Sequence, residues 1–219
     1  MKHVFVETNW VFEYGAPAHL RSSVALGLAE KAAAGDLRMY IPSVCLTEAS
    51  EAIRRRINPG SAADSVRKFL AWAGRADELN AEDSTTIRRI LDKYEASVQG
   101  ELDRIEERLA LLRSRPGIEI FSLDDEMLGR AVELSVENLY LEPFDQAILA
   151  AVLVRARALR NSGADAVCFC ELDHHLWPWD RQTRQPKQPL ARLYDAAGVW
   201  VYGDFAMQSL PQGLDFPEN

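Results

Sequence analysis

Four acidic side chains stand where an apolar run gives way to a turn or a helix. They are Glu7 in Val4-Phe5-Val6-Glu7-Thr8-Asn9, Glu48 in Ser43-Val44-Cys45-Leu46-Thr47-Glu48, Asp145 in Pro143-Phe144-Asp145-Gln146, and Asp173 in Cys170-Glu171-Leu172-Asp173. Carboxylates at the carboxyl ends of parallel strands can converge on one crevice, bind a divalent cation and activate water. Mg2+ favours oxygen ligands and keeps several waters, so two or three carboxylates and a substrate phosphate suffice. On that chemistry Glu7 and Asp145 contact the cation most directly and Asp173 completes the set. Glu48 acts through a water or on a second ion. Thr8 and Asn9 fix the loop after Glu7, Asn9 by bonding backbone across the site. Each acid also has a plainer explanation: a strand-end hydrogen bond for Glu7, a solvent-facing helix position for Glu48, the positive end of a helix dipole for Asp145 and a turn cap for Asp173.

A polyanionic substrate would need positive groups nearby. Arg54, Arg55 and Arg56 follow Glu48 by about two turns of the same expected helix and could track a phosphate backbone. Beyond Asp173, the residues His174, His175, Trp177, Trp179, Arg181 and Arg184 interleave rings with bases, a composition on which single-stranded RNA stacks. Trp177 and Trp179, flanking Pro178, read equally well as partly buried lid residues. The formal net charge of -8 opposes nucleic-acid binding by the chain as a whole. Its distribution is uneven, however. Residues 54–75 hold six bases against one acid (6 - 1 = +5), and residues 76–126 hold fourteen acids against seven bases (7 - 14 = -7).

The elements that must position these groups alternate. Strands are expected at His3 to Val6, Leu37 to Ile41, Ile118 to Leu123, Ala166 to Cys170 and Val199 to Tyr202. Helices are expected at Pro17 to Ala34 (through Leu20, Val24, Leu28 and Ala32), Ser43 to Ile57, Asp124 to Asn138, Pro143 to Arg160 and Pro189 to Ala197. Ser43 is placed to cap the second of those helices, after Pro42 ends the strand before it. Asn58-Pro59-Gly60 breaks the alternation, and two helices follow, Ala62 to Arg75 and about Asp83 to Arg115. In the longer one Ile87, Leu91, Tyr94, Val98, Leu102, Ile105, Leu109 and Leu112 form one stripe, expected to be buried against the shorter helix or to make a dimer seam. The expected architecture is α/β: a three-layer sandwich with a mostly parallel central sheet and a helical hairpin inserted at about residues 58–116. A single domain of residues 1–203 would precede a tail of residues 204–219.

The order of these motifs resembles that of PIN-domain ribonucleases. The resemblance rests on Val4-Phe5-Val6-Glu7-Thr8-Asn9, Tyr40-Ile41-Pro42-Ser43 leading to Glu48, Phe144-Asp145-Gln146-Ala147-Ile148-Leu149-Ala150-Ala151, and Phe169-Cys170-Glu171-Leu172-Asp173, and it spans the chain. It implies a parallel sheet flanked by helices and an acidic set holding Mg2+ or Mn2+ for phosphodiester hydrolysis of RNA. A toxin of a toxin–antitoxin pair, with an antitoxin protein as partner, is one role that fits. Two positions depart from the family pattern: the first acid is usually aspartate where this chain has Glu7, and Glu171 stands where a hydroxyl residue is usual. Whether Glu171 faces the metal beside Asp173 is open at this level.

Other chemistries find less support. A phosphatase of the haloacid-dehalogenase type needs an aspartate nucleophile after the first strand and normally a second two residues on, where this chain has Glu7 and Asn9. Neither a Gly-x-Ser-x-Gly elbow nor a phosphate-cradling Gly-x-x-x-x-Gly-Lys-Ser/Thr loop is present. Three cysteines without a secretory signal argue for reduced thiols and a cytoplasmic protein. Cys168 and Cys170 read as small core residues; a zinc site joining them to His174 and His175 matches no familiar spacing. Apolar stretches such as Ala147 to Val154 fall short of a membrane span. A PIN-like protein that has lost catalysis and serves as an RNA-binding or scaffold subunit, with the helical hairpin as partner surface, is the competing reading.

Overall fold

The computed structural model describes residues 1–17, 21–57, 60–76, 80–137 and 139–208. Five short strands, β1 (Lys2–Val6), β2 (Leu37–Pro42), β3 (Ile118–Phe121), β4 (Ala166–Cys170) and β5 (Val199–Tyr202), form one sheet in the order β3-β2-β1-β4-β5. Every neighbouring pair is parallel. β1 lies at the centre, and its Val4, Phe5 and Val6 are wholly buried. A strand flanked by strands and covered on both faces has no solvent side, which is why its sequence is an uninterrupted apolar run. The chain builds outward from β1 through β2 to β3, then returns to the other side of β1 for β4 and β5. The direction of winding therefore reverses between β1 and β4. At such a switch point the connections leave in opposite directions and open a crevice beyond the carboxyl ends of the two strands.

Helices α1 (Thr8–Gly15), α2 (Ser23–Ala34) and α3 (Ser43–Ile57) pack on one another and on β1 to β3, with the carboxyl-terminal part of α5 (Ala81–Leu112) against α1 and α3. Between α3 and α5 in the chain comes α4 (Gly60–Arg75). The other layer is α6 (Asp125–Ser135), α7 (Pro143–Asn161) and α8 (Leu190–Ala197), which pack on one another, with α7 against β4 and α8 against β5. The result is the expected three-layer α/β sandwich, with a sheet that is parallel throughout. α7 is its most enclosed helix: every residue from Ile148 to Val154 is buried. Pro143 opens it, where a missing N–H costs nothing. Each fully buried aliphatic side chain in such a helix contributes about 1.5–3 kcal/mol. Among the described residues no helix is long and apolar enough to cross a membrane.

Three expectations need correction. Thr8 and Asn9 are not loop residues but the first turn of α1, which periodicity did not reveal. Glu7 caps it from an extended backbone (φ -122, ψ -165), its carboxylate accepting from the Asn9 N–H. α2 begins at Ser23 rather than Pro17, because the Ser22 hydroxyl accepts from the Ala25 N–H at 3.2 Å and caps it there. Its buried face is Ala25, Leu28, Ala29 and Ala32, leaving Val24 44% exposed; Leu20 lies outside the described residues.

The long apolar stripe is buried only at its end, at Ile105, Leu109 and Leu112. Ile87, Leu91, Val98 and Leu102 are half-buried and Tyr94 is 46% exposed. The carboxyl-terminal turns have α1 and α3 beside them, whereas the amino-terminal turns meet α4, held by an Arg67–Glu95 ion pair at 2.5 Å. Arg54 likewise pairs with Glu106. Part of the basic stretch is thus matched to the acidic helix that follows it. The expected break at Asn58-Pro59 and residues 209–219 of the expected tail lie outside the described residues; Phe205, inside that tail, is buried, and α6 ends at Ser135, short of the expected Asn138.

Gly35 and Gly117 both have positive φ (85 and 75), but in different surroundings. A Cβ on Gly35, the left-handed C-cap of α2, would meet nothing within 4 Å, whereas one on Gly117 would lie 2.0 Å from the Ala32 carbonyl oxygen. Gly35→Ala is expected to cost only the backbone strain of about 1–2 kcal/mol. Gly117→Ala adds a backbone clash, for a total of about 3 kcal/mol or more. Urea denaturation of both variants checks the order; equal losses would contradict it.

Candidate functional site

The site begins with strand register. β1 and β4 pair to their last residues, Phe5 opposite Phe169 and Val6 opposite Cys170, so the next residue on each is a glutamate, Glu7 and Glu171. Both make the same local hydrogen bond. The Glu7 carboxylate accepts from the N–H two residues on, at Asn9 (2.7 Å), and Glu171 does the same with Asp173 (2.5 Å). Glu171 is tied further by its own N–H, which donates to the Tyr202 carbonyl at 2.9 Å. These are the two buried charged residues of the described structure, Glu7 at 4% exposure and Glu171 at 0%.

Burial disfavours the ionised form of both. It pushes Glu7 up from 4.5 to about 8, against the pull of the Asn9 hydrogen bonds and with help from the nearby Glu48 charge. Glu171 is held well above the carboxylate range by burial first and by Glu7 second. The two carboxyls act on each other, so a proton on one relieves the other. Without that proton each keeps one buried oxygen that no donor reaches, Glu7 Oε1 and Glu171 Oε2. A water could donate to both oxygens but would leave two charges in place. A proton or a cation removes the charge as well.

The remaining acids stand around this pair. Asp145, in the first turn of α7, is half-buried; its pKa is raised from 3.8 to about 6 by burial, then by Asp173 and Glu48, with His175 opposing. Burial therefore outweighs the favourable helix end assigned to it from sequence. Glu48 is held by a short hydrogen bond from the Thr8 hydroxyl. Beneath them Cys45 is wholly buried, its thiol pushed well up by burial and then by the Glu7 charge, with a Thr8 contact opposing. Asn9 acts on Glu7 itself rather than on backbone across the site, through its N–H and its side chain. Ser43 is the half-buried first residue of α3.

The five carboxyls form two groups, a buried pair (Glu7, Glu171) and an outer pair (Asp145, Asp173), with the Glu48 charge acting on both Glu7 and Asp145. No family model, curated protein or solved structure matches the chain. An oxygen-only donor set with two unpartnered buried oxygens fits a hard divalent cation such as Mg2+ or Mn2+.

The groups expected to hold RNA are distributed less simply. Arg54 is engaged with Glu106, Arg55 is exposed, and the Arg56 guanidinium lies 5.5 Å from the Phe12 ring centroid. Arg56 and Phe12, with Asn9 and Glu13, line a cavity of about 430 Å3. Trp177 stacks on Trp179 with ring centroids 5.3 Å apart, and its indole N–H donates to the Glu171 carbonyl at 2.8 Å. Trp179 is 1% exposed. Trp179 is therefore packed inside and not an open stacking surface, whereas Trp177 is half-buried. His174 and Arg181 are exposed in the segment around them. Cys168 and Cys170 are core thiols: burial raises Cys168 to about 11 and Cys170 well above its ordinary value.

The residue that sequence left open, Glu171, proves the most enclosed of all. The signal for it was present: Val-Phe-Val-Glu and Cys-Phe-Cys-Glu are the same pattern on two adjacent strands.

The sign of the pH dependence follows from the raised values. A carboxyl that binds its proton more tightly folded than unfolded makes stability fall as pH rises from its unfolded pKa to its folded one. Here the window for Glu7 runs from about 4.5 to about 8, and Asp145 adds the same sign between 3.8 and about 6. Metal-free protein should lose stability across that range with a slope of up to about 1.4 kcal/mol per pH unit per proton. Glu7→Gln should flatten it, and Mn2+ should restore stability at pH 8 in the wild type far more than in the variant. Urea midpoints at pH 5 and pH 8, with and without Mn2+, measure this; a pH-independent midpoint would rule the buried pair out as the titrating unit.

Proposed function

We propose that the protein is a divalent-metal-dependent endoribonuclease, hydrolysing phosphodiester bonds at the crevice between β1 and β4. The observation that carries the reading is the convergence of Glu7, Glu48, Asp145, Glu171 and Asp173 at a topological switch point, with buried oxygens of Glu7 and Glu171 lacking any donor. The resemblance of the four motifs to PIN-domain ribonucleases points to the same chemistry. Glu7, Glu171, Asp145 and Asp173 would hold Mg2+ or Mn2+, with Glu48 behind them. A cation bound there supplies a more acidic water and neutralises charge on the scissile phosphate.

The chain's own residues prepare that site. The Asn9 N–H orients Glu7, the Asp173 N–H orients Glu171, and the Thr8 hydroxyl fixes Glu48, so the acids are set before substrate arrives. The Trp177 indole N–H, stacked on Trp179, holds the Glu171 backbone carbonyl in place. Arg56 and Phe12, beside Asn9, offer a charge and a ring to an RNA strand leaving the crevice. A role as the toxin of a toxin–antitoxin pair, in the cytoplasm, is compatible with this activity.

A second reading has its own observation. Phe69 (51% exposed) and Trp72 (55%) lie against each other on α4, and Ile90 (58%) and Tyr94 (46%) are exposed one turn apart on α5. Exposed large apolar side chains grouped in this way mark interaction surfaces. A second copy of the chain, an antitoxin or another protein partner docking there would suit a scaffold as well as an enzyme.

Two experiments separate the readings. Asp145→Asn should lower Mn2+-dependent cleavage of single-stranded RNA by about 100-fold or more while leaving the fold intact. Wild-type protein that binds RNA but never cuts it, in either metal, would decide for the binding module. Trp72→Glu should leave cleavage unchanged and abolish self-association or partner binding in sedimentation velocity if α4 is the docking face.

A further inference from the structure

The loop leaving β4 carries a second kind of donor. Among the described residues, the trio of ligand-type side chains whose donor atoms all lie within 4.8 Å of one another is Asp173, His174 and His175. The His174 Nδ1 is 3.7 Å from Asp173 Oδ1, and the two imidazole centroids are 4.2 Å apart. Neither ring is buried, so both can turn toward a shared ion. His175 also acts on the Asp145 charge.

The loop is built, not loose. The His175 N–H donates to Asp173 Oδ1 (2.9 Å), the Lys187 ammonium donates to the His175 carbonyl (2.9 Å), and the Leu176 N–H donates to the Asp173 carbonyl (3.0 Å). The Tyr194 hydroxyl holds the Leu176 carbonyl at 3.0 Å, and Trp177 holds Glu171. Five hydrogen bonds thus fix the backbone beneath two exposed imidazoles and a carboxylate.

We infer that Asp173, His174 and His175 form a metal position at the rim of the crevice, selective for a borderline transition-metal ion of the Zn2+ or Co2+ type. Imidazole nitrogen suits Zn2+, Co2+ and Ni2+, whereas Mg2+ takes oxygen and keeps its waters. The buried oxygens of Glu7 and Glu171 and the rim nitrogens therefore make different demands. Asp173 stands between them, one N–H bond from Glu171 and next to both histidines. The rim site goes beyond the nuclease reading and does not need it, because it requires binding alone.

The test uses the full chain, stripped of metal with a chelator. Co2+ is titrated by calorimetry and by its visible absorption, and Mg2+ by thermal shift, in wild type, in His174→Ala/His175→Ala and in His174→Gln/His175→Gln. The expected result is that Co2+ binds the wild type with the absorption of nitrogen ligation, and that both double variants lose about tenfold or more in Co2+ affinity with Mg2+ response unchanged. Co2+ affinity within twofold of wild type in both variants would overturn the assignment. So would a parallel loss of Mg2+ response, since the histidines would then act on the crevice generally. Asp145→Asn, in contrast, should abolish RNA cleavage and keep the Co2+ absorption, so failure of the nuclease reading and failure of the rim site give different results.

Discussion

Glu7 and Glu171 are buried side by side, and the crevice is organised around that fact. Two carboxylates buried together repel each other, and each also bears the cost of leaving water. The fold offsets part of this with the Asn9 and Asp173 N–H groups and with the positive end of α1. What remains is charge that backbone donors do not cancel, seen as Glu7 raised to about 8 and as an orphaned oxygen on each carboxyl. A neutral-pH protein must hold a proton or a cation between them. The same strain that lowers stability in the empty state is therefore a preference for cation binding, because a cation stabilises both carboxylates at once.

This arrangement needs a rigid frame, and the sheet provides it. Because β1 and β4 are in register to their last residues, the two glutamates emerge level with each other and cannot separate without breaking strand pairing. Val4 to Val6 and Val167 to Cys170 are enclosed, so the strands have no water-exposed side on which to relax. The loop after β4 is fixed in turn by Tyr194 from α8 and by Lys187. Inner and outer acids are thus held by apolar packing together with the one hydrogen bond from the Asp173 N–H to Glu171.

How much of this was legible in sequence varies with the kind of information. β2, β4 and β5 are apolar runs closed by proline, a charged residue or glycine, and their bounds came out within a residue. α1 was missed because it spans only eight residues and opens with Thr8-Asn9, types that also build loops; its cap is Glu7, a residue already claimed by chemistry. The stripe on α5 was read correctly as apolar but wrongly as buried throughout. Periodicity shows which face of a helix is greasy and says nothing of whether another element is long enough to cover it. Glu171 stayed undecided for a related reason. Its importance comes from register with Glu7 across a gap of 164 residues in the chain, and pairing register is a property of the sheet. The repeat of a Phe-centred apolar run ending in Glu was the available clue.

The charge distribution constrains the order of events at the site. A basic segment of +5 suggested from sequence that the chain keeps a positive edge for a polyanion. In the folded protein Arg54 is paired with Glu106, and Arg67 with Asp64 and Glu95, so part of that charge is spent within the chain. The crevice itself presents five carboxyls, and the whole chain carries -8. A phosphodiester would be repelled from the acids in their ionised, metal-free state, over a range of about one Debye length, roughly 8 Å at physiological ionic strength. On the nuclease reading, then, RNA affinity at the crevice depends on the cation already bound there, while Arg56 and the exposed Arg55 and Arg181 serve the flanking strand. Binding of substrate and of metal become one coupled equilibrium, in which each ligand raises the affinity for the other by the same factor.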